Sequence, residues 1–196
     1  MDEALITAAK AYIEKLFGDI HDGHDVKHSL RVYRNAMDIA MDIAKDIPGC
    51  DPGIVALASL LHDADDHKLF DTADNMNARL FLSGHGISPD KADRICAVIN
   101  SVSFSQNKGR RPDTIEGMIV QDADRLDAMG AVGIARTFAY GGSRGRSIEE
   151  SVEHFHEKLL RLRDSMNTDA ARAEAEKRHA FLLAFLEELE SETGIV

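Results

Sequence analysis

At 196 residues the chain is long enough for one domain with its own sizeable core, and length alone gives little support for two. With 44% hydrophobic residues, 29% charged residues and 4 prolines it lies away from disordered and collagen-like chains, and no apolar run approaches the roughly 20 residues that span a bilayer. A net charge of -11 argues against a nucleic-acid surface, because phosphate backbones are bound by basic faces, so an anionic substrate has to be met by local cations.

The acidic opening Met1-Asp2-Glu3 lacks the basic start of a secretory signal, which sets the cytoplasm as the expected compartment. Cys50 and Cys96 form neither a C-x-x-C pair nor an evenly spaced framework, which suits a reducing compartment and excludes a thiolate metal cage. Helical periodicity runs from end to end without an alternating strand pattern. The expected fold is all-α: one helical bundle over 1–196, with a core over 20–140 closed by C-terminal helices over 148–191.

The first helix is expected near 3–17 and the second near 24–46. In the second, Val26, Leu30, Tyr33, Met37, Ala40 and Ala44 lay an apolar stripe down about six turns. His28 lies two residues beyond Val26 and is expected to point away from that stripe, while His21 and His24 flank the entry to the helix. Asp51-Pro52 reads as an N-cap followed by proline at the first helical position, opening a helix near 52–64. Its run Ile54–Leu61 is apolar throughout and has to be buried, after which His62 and Asp63 appear abruptly. Burying such groups without partners costs roughly 1–3 kcal/mol each, so they need something to bind.

Further helices are expected near 72–83, 89–102 and 114–128. Gly84 and Gly86 mark a stop, Ser88-Pro89 a start, and Asp113-x-x-Glu116 a capping box. Within VQDADRLDAMG, Asp122, Asp124 and Asp127 crowd one helix, and a cation would relieve their repulsion. The last helices are expected near 131–140, stopped by Gly141-Gly142, near 148–165, opened by the capping box Ser147-x-x-Glu150, and near 169–191. His154, His156 and His179 fall on these C-terminal helices and read as solvent-facing. Two basic stretches, Lys108 with Arg110 and Arg111, and Arg144 with Arg146, read equally as solvated loops or as lids over bound phosphate.

Two imidazoles and two carboxylates, from His28, His62, Asp63 and Asp124, make a mixed nitrogen and oxygen donor set. It suits one divalent ion: Mn2+, Fe2+, Co2+, Ni2+, Zn2+ or, less readily, Mg2+. Four protein ligands around a six-coordinate ion leave positions for water and substrate. The order H…HD…D, with the surrounding words GHDVKHSLRV, LLHDADDHKLF and VQDADRLDAMGAVGIARTF, resembles the HD superfamily of metal-dependent phosphohydrolases, in particular its nucleotide pyrophosphohydrolase-like branch.

The resemblance implies an all-α fold with His28, His62, Asp63 and Asp124 as metal ligands and Mn2+ as the favoured ion. It implies Asp66, one turn after Asp63, as general acid or base, the alternative being that it orients a ligand imidazole. Lys68 and Arg125 are expected to hold phosphate oxygens, with Lys27 beside His28 as a further cation; Arg125 reads equally as neutralising Asp122 or pointing to solvent. Relatives with two metals carry extra histidines after the HD pair. The comparable stretches here, TADNMNARL and AVINSVSFS, offer Asn75, Asn77 and Asn100 instead, so one ion is expected; His67 is too close to the pair and His85 sits in a turn. The expected substrate is a phosphorylated small molecule, a nucleoside triphosphate or related phosphoanhydride, acted on by a monomer or homodimer with no nucleic-acid or membrane partner. The alternatives are a nucleoside monophosphate phosphomonoesterase and a non-catalytic sensor that binds metal and nucleotide.

Overall fold

The computed structural model describes residues 2–18, 26–43, 49–102, 107 and 110–194. Among them are nine α-helices, one 3-10 helix and no strand: α1 (Glu3–Phe17), α2 (Val26–Ile43), α3 (Pro52–Leu61), α4 (Met76–Gly84), α5 (Pro89–Val102), α6 (Ile115–Asp127), α7 (Gly130–Ser143), α8 (Ile148–Glu157) and α9 (Asp169–Thr193), with the 3-10 helix over Leu159–Ser165. The chain divides into two units, Met1–Ala123 and Asp124–Val196, and the division falls inside α6. His21, His24, Ala44 and Lys108 lie outside the described residues.

In the first unit α3 is apolar all round, and every residue from Ile54 to Leu61 is buried as α3 packs against α1, α2 and α5. Asp51 caps it, accepting the N–H groups of Gly53 at 2.9 Å and Ile54 at 3.3 Å, with Pro52 at the first position. The helix ends at Leu61, three residues before its expected end, so His62–Asp65 form a turn.

The buried face of α2 is not the expected stripe. Val26, Leu30, Tyr33 and Met37 are only partly covered, while His28, Ser29, Val32, Asn35, Ala36, Ile39, Ala40 and Ile43 are buried. α4 starts at Met76 and not near residue 72, because Asp74 and Asn75 adopt left-handed backbone at φ 54° and 56°. The expected capping box at Asp113 is replaced. Thr114 Oγ1 accepts the Gly117 N–H at 3.1 Å, while Glu116 accepts the Asp51 N–H at 3.0 Å.

In the second unit Phe138, Phe155 and Phe185 meet with ring centroids 5.8–6.0 Å apart, joining α7, α8 and α9. α7 runs through Gly141-Gly142 to Ser143. Gly141 is required by proximity, since a Cβ there would collide with the Ser151 hydroxyl, and the chain turns instead at Gly145 with φ 69°. The Ser147 capping box forms with both of its bonds. The helix it opens breaks at Lys158 and continues as the 3-10 helix, where one α-helix to residue 165 was expected. No described helix is long and apolar enough to cross a membrane.

Candidate metal centre

His28 occupies the first turns of α2 and is only 3% exposed, the reverse of the solvent-directed placement its offset from Val26 suggested. His62 follows the last residue of α3, and its Nδ1 lies 2.9 Å from the carbonyl oxygen of Ser59. A carbonyl only accepts, so Nδ1 carries the proton and Nε2 presents its lone pair on the opposite side of the ring. That lone pair faces His28: the two Nε2 atoms are 3.2 Å apart with the rings edge to face. Asp63 Oδ2 stands 3.4 Å from Nε2 of His62 and 3.5 Å from Nε2 of His28.

Asp124 lies in the last turn of α6, directly after Ala123, whose carbonyl accepts a bond from the buried Asn35 amide of α2 at 3.3 Å. His28, His62 and Asp124 each offer a ligand atom, and these atoms lie within 4.8 Å of one another.

The donor set fits a divalent ion. Nitrogens bound to one ion at 2.0–2.1 Å stand roughly 2.8–3.4 Å apart for bond angles between right and tetrahedral. The observed 3.2 Å between Nε2 atoms falls in that interval.

Asp66 is in the turn after the pair and not on a helical face with Asp63; its N–H donates to the Asp63 carbonyl at 3.1 Å. Its carboxylate, 13% exposed, accepts the Lys68 N–H at 2.8 Å and stands 3.5 Å from Nδ1 of the exposed His67. Lys68 and Lys27 are exposed. The guanidinium of Arg125 donates to the carbonyl of Ser165. Of the crowded acids, Asp127 is relieved by Arg136 at 2.7 Å rather than by a metal.

Sequence reasoning missed two groups that bond beside the candidate ligands: the Ser59 carbonyl, against His62, and Asn35, against the Ala123 carbonyl next to Asp124. Neither carries a local signal, because each acts through a partner, 3 and 88 residues away. His154 is partly buried and its pKa is lowered, first by burial and then by Lys158, so it is not the fully solvated group expected. Both thiols, Cys50 and Cys96, are pushed up by burial and are poor nucleophiles.

A family model for the HD domain matches residues 25–129, which spans every histidine and carboxylate of the centre. The chain belongs to the HD-domain superfamily. YpgQ of Bacillus subtilis is 40% identical over 93% of this chain and 91% of its own length. The crystal structure of selenomethionine-labelled YpgQ has a TM-score of 0.85 and 37% identity, covering 98% of both chains. YpgQ has also been solved in complex with ADP, with a TM-score of 0.79 and 38% identity over 96% of this chain and 97% of that one. An HD-superfamily hydrolase of Bacillus thuringiensis has a TM-score of 0.81 at 33% identity over 99% of both chains. The HD-domain protein described here is thus all-α, carries a His/His/Asp cluster whose two imidazoles are buried, and is a hydrolase at the level the superfamily defines.

Proposed function

We propose that this HD-domain protein is a metal-dependent phosphohydrolase that cleaves a nucleoside triphosphate, or a related phosphoanhydride, by attack of water on phosphorus. The observation that carries the reading is the meeting of two imidazole Nε2 atoms and one carboxylate oxygen within 3.5 Å beside Asp124. The ADP complex of YpgQ supports a nucleotide as the substrate class.

His28, His62, Asp63 and Asp124 hold one divalent ion, with Mn2+ favoured by the mixed nitrogen and oxygen donors. When bound, the ion supplies Lewis-acid polarisation and a water of lowered pKa. Asp66 takes up or delivers the proton, its carboxylate steadied by the Lys68 amide. Lys68 offers a point charge and Arg125 a planar fork toward the charge that builds on the departing phosphate.

We read residues 1–196 as one domain, because the family match crosses the boundary at Ala123 and α6 is continuous there. We assign the protein to the cytoplasm, in keeping with its two free thiols, as a monomer or homodimer without nucleic-acid or membrane partners.

The test is a panel of nucleoside mono-, di- and triphosphates with Mn2+, Co2+, Ni2+, Zn2+ and Mg2+, reading both phosphate and pyrophosphate. Monophosphate and pyrophosphate are expected from a triphosphate, with His62→Ala slower by more than about a hundredfold. Phosphate released from monophosphates identifies a phosphomonoesterase instead. Nucleotide binding with no turnover under any ion identifies a sensor.

A further inference from the structure

The turn His62–Asp65 carries both halves of the HD pair. Its local backbone bonds are Ala64 N–H to the Leu61 carbonyl at 3.0 Å and, just beyond, Asp66 N–H to the Asp63 carbonyl at 3.1 Å. Ligand atoms have to be placed within about 0.2 Å to suit a metal, so whatever holds this turn bears on the site.

One restraint on it comes from α4. Asn75, at the N-cap of α4, is left-handed and makes no capping bond with its side chain. Asp65 takes the cap from outside the helix: its two oxygens accept the N–H groups of Asn77 at 2.9 Å and Ala78 at 3.1 Å. Those are the amides that an N-cap side chain would ordinarily satisfy, and a carboxylate there also meets the positive end of the helix. Asn77 reciprocates, its side-chain Nδ2 donating to the Ala64 carbonyl at 2.8 Å. The far side of Asn77 is fixed in turn, because its carbonyl accepts the Tyr12 hydroxyl of α1 at 2.9 Å. The two residues immediately after Asp63 are therefore gripped from one helix end that is anchored to a second helix.

We propose that Asp65 and Asn77 are positioning residues that set the Asp63 carboxylate and His62 imidazole in register for the ion. Asn77 lies in the stretch where two-metal relatives carry an extra histidine, and here it is spent on the turn that presents the first site. The proposal rests on the metal reading of that site.

The experiment measures Mn2+ affinity of the full-length protein by calorimetry, alongside unfolding temperature without metal, in Asp65→Ala, Asp65→Asn, Asn77→Ala, His62→Ala and Lys91→Met. Lys91→Met removes a partner of the Asp51 cap elsewhere in the same unit and controls for loss of stability alone. Asp65→Ala and Asn77→Ala are expected to weaken Mn2+ about tenfold, the size of effect seen for groups that orient metal ligands, with Asp65→Asn, which keeps one of the two acceptor oxygens, recovering part of it and Lys91→Met binding as the parent. If Asp65→Ala does not fold, Asn77→Ala leaves the cap in place, breaks only the bond to Ala64 and decides the matter. Parental affinity in folded Asn77→Ala and Asp65→Ala overturns the positioning role while His62→Ala still loses the ion. Parental affinity in His62→Ala overturns the metal reading itself, and the positioning role with it.

Discussion

Asp63 Oδ2 stands 3.4 and 3.5 Å from the Nε2 atoms of the paired imidazoles. Asp63→Asn keeps its shape and removes its charge, and it turns either a weaker oxygen or an N–H toward two nitrogens. The expected result is a fall in Mn2+ affinity of more than about tenfold, read by calorimetry, with the circular dichroism spectrum unchanged. His62 and Asp63 announced themselves in the sequence because polar groups at the end of a buried apolar run demand partners. His28 did not, because the helix has two apolar series side by side. Leu30, Tyr33 and Met37 look the better stripe by size, yet the packed face runs through Ser29, Val32, Ala36 and Ile39. Small residues there let helices approach closely, and bulk alone does not reveal which series they will choose.

The N-terminus of α3 shows how an element carries a pH dependence. Burial pushes the Asp51 carboxyl up, but Lys91 at 3.0 Å and the Ile54 and Gly53 amides outweigh it and hold the pKa below the ordinary carboxylate value. A lowered folded-state pKa contributes stability that is fully present above the unfolded value and is lost as pH falls through the folded one. Lys91→Met is expected to be less stable at pH 7 by ~0.5 kcal/mol in urea unfolding, since the pair is partly exposed, and the gap should close as the pH drops below the folded-state value. Cap and proline signals at Asp51-Pro52 and Ser147 were legible, being local contracts between neighbours. The start of α4 was not, since its cap comes from Asp65, and two consecutive left-handed residues replaced the turn of helix that periodicity suggested. The end of α3 was overrun because the polar pair continues a helical sequence that the metal-site turn interrupts.

At the scale of the whole molecule the helical class was legible in the sequence. Periodicity gave an all-α chain, and the three motif blocks located the centre, but the division at Ala123 has no compositional mark because it falls within a continuous helix. The second unit begins where the family match is nearly complete and has its own aromatic core. Phe155, fully buried between Phe138 and Phe185, is its central side chain. Phe155→Ala is expected to destabilise that unit by about 3–5 kcal/mol, measured as a shift of the denaturant midpoint.

The bond from His62 Nδ1 to the Ser59 carbonyl has a kinetic meaning as well as a static one. Under the role proposed for His62 as a metal ligand, with the proton parked on the far edge of the ring, an arriving cation finds an electron pair already aimed at it. Neither a ring flip nor a change of tautomer stands in the way at this ligand. Loading at His62 then depends on how readily the incoming ion sheds its own hydration shell, a property of the ion that differs among divalent metals sharing the same cell.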